Sequence, residues 1–220
     1  MRTAFPWLLA SIAAVAIAMP AHAAEEDLSI NARLLLAARN ADPGGVDRAL
    51  KSGAAANSRN RLGETALLIA LKKNDLALAK TMLDAGTDVN LAALNGVTPL
   101  MAAAYGGHAE FAALLIARGA DLSAKDWLHK NAMTYAAGEG RTEVVLLLIA
   151  KGVDPNAIYQ NDLTALMWAA GNGHAMTVKA LLATGAKPGF RDDRGKTALD
   201  IARENRQEET ARLIETATKS

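Results

Sequence analysis

A period of 33 residues runs through the chain and constrains its fold more tightly than any single motif. Threonine or a replacement returns at Thr65, Thr98, Asn131, Thr164 and Thr197, alanine at Ala70, Ala103, Ala136, Ala169 and Ala202, and glycine at Gly53, Gly86, Gly119, Gly152 and Gly185. Three residue types that keep one spacing through five copies identify an array of one supersecondary unit. Ordering a backbone costs about 1–2 kcal/mol per residue, which so short a unit cannot offset with its own apolar surface, so neighbouring units must share a core. The chain has no cysteine, which leaves stacking rather than disulfides as the source of stability.

The clearest copy is Asn95 to Leu122, where Thr98-Pro99-Leu100 opens a short helix, Gly107-His108 makes a turn, and Gly119-Ala120-Asp121 closes an apolar second helix. Each unit resembles an ankyrin repeat. The resemblance covers residues 29 to 217 as six units, approximately 29–61, 62–94, 95–127, 128–160, 161–193 and 194–217. It implies an all-α solenoid of helix–turn–helix units with hairpin-like loop fingers on one side. The departures are specific: the family's histidine after Pro-Leu is replaced by Leu68, Met101, Thr134, Met167 and Asp200, and its proline survives only at Pro99.

Within the units the residues themselves place the elements. Thr65 is expected to cap a helix over Ala66 to Lys72, Asn74 to take a left-handed turn position, and Leu76 to Asp84 to form the partner helix. In the first unit, Ile30 to Ala38 reads as helix, Asn40 to Gly45 as a loop and Val46 to Lys51 as a second helical piece. Leu83, Ile116, Ile149 and Leu182 recur on the second helix and are expected in the core. Glu215 occupies their column in the last unit beside Glu208, Glu209, Arg212 and Lys219, as a charged terminal face requires.

Met1 to Ala23 has Arg2, the apolar run Trp7 to Met19 and Ala21-His22-Ala23, the pattern of a cleaved secretory signal ahead of a mature region 24–220. The apolar run is short for a membrane span and meets Glu25, Glu26 and Asp27 at once. The expectation is a periplasmic or secreted protein that begins at Ala24, with no membrane insertion after cleavage. Removing Arg2 takes the 24 basic residues to 23 against 23 acidic ones, so the mature charge is about zero. That balance provides no basic stripe for nucleic acid, and the cluster Arg59, Arg61, Lys72 and Lys73 is one unit wide and reads as a solvated edge.

Catalysis is not expected. The mature histidines are His108, His129 and His174; His108 and His174 stand two units apart in the Gly-His turn, where a turn histidine bonds local backbone. Ser123 with Asp121 or Asp126 shares one loop and offers no oxyanion hole. Gly44-Gly45, Gly106-Gly107 and Gly138 to Gly140 read as turns rather than phosphate cradles. No catalytic, cofactor-binding or metal-binding residue is assigned, and no cofactor.

What remains is a binding module, expected to act as a monomer, or a self-associating structural subunit with no separate partner. The resemblance implies the first, with another protein held by the finger loops and the concave first-helix face. The end units are charged at these positions. The central units offer Leu94, Val97, Tyr105, Trp127, Leu128, Tyr159 and Leu163, apolar or aromatic side chains where the scaffold does not require them, and these are the expected partner-binding residues. Trp168, one residue before Ala169, is assigned to packing.

Overall fold

Each unit begins with a hydroxyl or amide that satisfies a free helix-terminal amide, and this fixes where the helices start. Thr65, Thr98, Asn131, Thr164 and Thr197 lie in extended backbone, and their side-chain oxygens accept from the amides of Leu68, Met101, Thr134, Met167 and Asp200 at 3.0–3.3 Å. Ser29 does the same for the amide of Ala32. In the computed structural model, which describes residues 28–219, the chain forms twelve α-helices among the described residues, and no strand. The expected signal segment and cleavage site lie outside those residues. In pairs the helices are α1 (Ile30–Asn40) and α2 (Pro43–Lys51), α3 (Ala66–Lys72) and α4 (Leu76–Asp84), α5 (Pro99–Gly106) and α6 (Ala109–Ala117), α7 (Ala132–Gly138) and α8 (Thr142–Ala150), α9 (Ala165–Gly171) and α10 (Ala175–Ala183), and α11 (Ala198–Glu204) and α12 (Glu208–Lys219).

The first helices stack in one layer, α1 on α3 and so on to α11, and the second helices pack on one another from α6 to α12. Close approach in the first layer follows from the alanine column: Ala70, Ala103, Ala136, Ala169 and Ala202 have no exposed surface. Each of the first five pairs ends on a left-handed glycine, Gly53, Gly86, Gly119, Gly152 and Gly185, with φ between 81° and 96°. A Cβ at any of them would meet nothing within 4 Å, so the backbone angle and not crowding demands glycine there.

Three expectations need adjustment. The loop expected over Asn40 to Gly45 is shorter, because Pro43 sits at the head of α2 with its φ already set for a helix and carries Gly44 and Gly45 into the first turn. The core column of the second helix is Met82, Leu115, Leu148, Leu181 and Ile214, each at most 1 % exposed. Of the expected column one residue later, Leu83 is buried, while Ile116, Ile149 and Leu182 form its half-buried margin. Glu215 therefore lies on that margin, paired with Arg203, while Ile214 fills the core. The histidine expected to bond local backbone reaches a neighbour instead: His174 Nε2 lies 2.8 Å from the carbonyl oxygen of Gly138, in the preceding pair.

Candidate functional site

Five fingers precede α3, α5, α7, α9 and α11. Each is closed by one bond from its first amide to its fifth carbonyl, as from Asn60 to Glu64 and from Asp126 to Lys130, at 2.9–3.0 Å. Where the first residue carries an oxygen it also holds the turn: Asp126 Oδ1 accepts from the amides of Leu128 (2.9 Å) and Lys130 (2.8 Å), and Asn60 and Asp192 act alike. Tyr159 has no such oxygen, and its finger winds into a 3-10 turn, Gln160–Asp162, with Asn161 and Asp162 both left-handed.

Successive fingers are tied by backbone. The amides of Leu94, Trp127 and Asp193 donate to the carbonyls of Leu62, Asn95 and Asn161 at 2.9–3.1 Å. Between Leu128 and Gln160 the described residues show no such bond. At Gly63 and Gly96 a Cβ would stand 2.8 Å from backbone of the next finger. The equivalent residue here is His129, left-handed at φ 54°, which carries a Cβ where Gly63 and Gly96 have none; Asp162, next in the column, carries one too, in the finger with the 3-10 turn, and that finger is tied to the next. A second ladder fails at the same step. Asn57, Asn90 and Asn156 each accept the amide of the following loop, at Asp88, Asp121 and Lys187 (2.7–2.8 Å). Ser123 stands where the fourth asparagine belongs, and the amide of Asp154 donates no such bond among the described residues.

The face bounded by the fingers is charged at its ends and apolar at its centre. Glu64 pairs with Lys72 at 2.6 Å, and Lys196 pairs with Glu204, so each end neutralises itself. The equivalent positions in between are Val97 with Tyr105, Lys130 with Gly138, and Leu163 with Gly171. The Lys130 ammonium lies 5.7 Å from the centre of the Tyr135 ring and 5.0 Å from that of Trp168. Tyr105 meets Tyr135 edge to face at 6.0 Å. The Tyr135 hydroxyl donates to Asp126 Oδ2 at 2.6 Å; burial first, and that carboxylate second, push its pKa up. Beside this cluster a groove of about 490 Å³ opens between α3 and α5, with Leu71, Val97, Met101, Tyr105 and Tyr135 among its lining residues.

The expected binding residues divide into two sets. Trp127 (75 % exposed), Leu128 (62 %), Leu94 (56 %) and Tyr105 (52 %) stand out in solvent. Val97, Tyr159 and Leu163 are partly buried and packed against the core. The Tyr159 hydroxyl is buried near the Asn131 side chain without a well-formed hydrogen bond, and burial pushes its pKa up to about 12. Trp168 packs against the core. Leu62 and Ile158 are exposed apolar finger residues that the sequence reading did not single out, and it missed Lys130 as well. Its signal was available in the column Glu64, Val97, Lys130, Leu163, Lys196, read against the residue eight positions later in each unit.

The basic cluster of the second unit is largely absorbed by the scaffold. Lys72 pairs with Glu64, Arg59 bonds the carbonyls of Gly63 and Ala92, and Lys73 bonds that of Arg39. Ser123 Oγ donates to Asp121 at 2.7 Å within its own loop. Among the described residues no three acidic, histidine or cysteine side chains converge as a metal site would need, and no helix is long and apolar enough to cross a membrane.

A family model of ankyrin repeats, three copies in length, matches the chain over residues 34–126, 73–159 and 133–219. No curated protein matches the sequence significantly.

Proposed function

The chain belongs to the ankyrin-repeat family, whose repeats generally serve as protein–protein interaction modules, and from that premise we propose that it binds a partner protein through its central fingers and first-helix face. The observation that carries this reading is the row of solvent-exposed Leu94, Tyr105, Trp127 and Leu128 between two self-neutralised ends. An apolar centre within a polar rim is the anatomy of a binding patch, and tryptophan and tyrosine are its usual anchors. The role is non-enzymatic. It is exercised by a monomer in the periplasm or outside the cell, after removal of residues 1–23.

Cross-linking in the exporting cell, followed by identification of the captured protein, tests the reading. Trp127→Ala with Leu128→Ala should abolish capture, at about 2 kcal/mol or more for each anchor, with the unfolding midpoint unchanged because neither side chain is buried. Capture that survives both substitutions removes these fingers from the interface. A purified chain that scatters light as a defined oligomer assigns the patch to a second copy of itself. Mass measurement of the exported protein decides whether it starts at Ala24.

A further inference from the structure

Lys130 stands on the central finger of the face, over the aromatic rings of Tyr135 and Trp168. Lys130 makes no ion pair among the described residues, whereas the lysines at both ends of the face do. The nearby Asp126 is otherwise engaged, its two oxygens taking the Tyr135 hydroxyl and the amides of Leu128 and Lys130. Gly138 replaces the larger residues found at the equivalent position in the end units, and a Cβ there would meet other side chains only at 3.6 Å, which leaves room beside Lys130; Gly171, next in the column, is buried against Ile201.

On the reading that this face binds a protein, we propose that the bound segment is an extended stretch of another protein carrying an aspartate or glutamate next to a large apolar side chain. The carboxylate meets Lys130, and the apolar side chain enters the groove that Tyr135 also lines. Charge complementarity selects the carboxylate. The ammonium rests against two aromatic rings and its backbone is fixed by Asp126, so much of the entropy of ordering a lysine is lost before the partner arrives. A polyanion is a poor match: binding to phosphates draws on several cations at once, and here Lys72 is already neutralised by Glu64 and Arg141 is bonded to the Tyr105 carbonyl, which leaves Lys130. Tyr135 joins the two subsites, because its ring supports Lys130 on one side and lines the groove.

Selection of random displayed peptides on the full chain tests this. Binders should share one acidic residue beside an apolar one, and changing that residue to its amide should weaken binding about tenfold, equivalent to about 1.4 kcal/mol. That comparison leaves the protein unaltered. Lys130→Glu should shift the selected position to lysine or arginine, and Lys130→Arg should retain the acidic preference. Binders that lose affinity with Trp127→Ala yet carry no acidic preference overturn the carboxylate assignment and leave the interaction surface standing. No binders, or binders indifferent to both Trp127→Ala and Lys130→Gln, overturn the carboxylate assignment and the proposed surface together.

Discussion

His108 packs beside Gly106 near Arg141. Burial, and then repulsion from that guanidinium, hold its pKa below the ordinary imidazole value. The unfolded chain therefore binds the proton more readily, so folding stability is fully present above about pH 6.5 and is lost as the pH falls through the lowered folded value. Replacing His108 with Gln should flatten the fall of the unfolding midpoint as the pH drops below the ordinary imidazole value of about 6.5. Asp121 and Asp200, held low by bonds from Ser123 and Thr197, lose their contributions only in the carboxylate range. Tyr159 gives a second test at this scale. Because its ring packs against the core, Tyr159→Ala should cost about 2 kcal/mol or more of stability, read as a lower denaturant midpoint, while Trp127→Ala leaves the midpoint where it is. From sequence the two aromatics were indistinguishable. Both sit on fingers, and the missing turn-holding oxygen at Tyr159 is no guide, since Ala93 lacks it as well.

At the scale of elements, the paired interruption at Ser123 and His129 makes a local prediction. The amides of Asp154 and Gln160 should exchange hydrogen faster than their equivalents Asp121 and Trp127, which is measurable residue by residue. Ser123→Asn should restore one bond, since Ser123 already has the loop geometry of Asn90 and Asn156, its amide bonding the carboxylate two residues earlier. His129→Gly should restore the other and remove a side chain from left-handed backbone. Each is expected to raise stability by about 1 kcal/mol. The helices were legible because hydroxyl caps, alanines and glycines act locally and recur. Lys130 over Tyr135 and Trp168 was not, because it joins residues brought together by stacking. The second-helix core was displaced by one residue for a similar reason: two adjacent apolar columns run along it, and only the packed neighbour decides which is inside.

Over the whole molecule, stability is shared between neighbours, so the last pair matters more than its charged composition suggests. Thr210 and Asn205 bond the carbonyls of Ala170 and Gly171, and Ile201 and Ile214 are buried. Truncation after Gly185 should therefore lower the denaturant midpoint well below that of truncation after Glu215, since each apolar side chain uncovered is worth about 1.5–3 kcal/mol. Where the finger ladders stop, the opposite end of the same interface is well fastened: Asn172 and His174 both reach Gly138, and Thr142 meets Thr177 at 2.8 Å. An interface pinned at one edge and loose at the other is a pivot, and the molecule should open there like a fan, its rivet at the turns and its blades at the tips. Spin labels at Leu128 and Gln160 should report a broader spread of distances than labels at Leu62 and Leu94, so that the width of the grasp between the two halves is set by what is held.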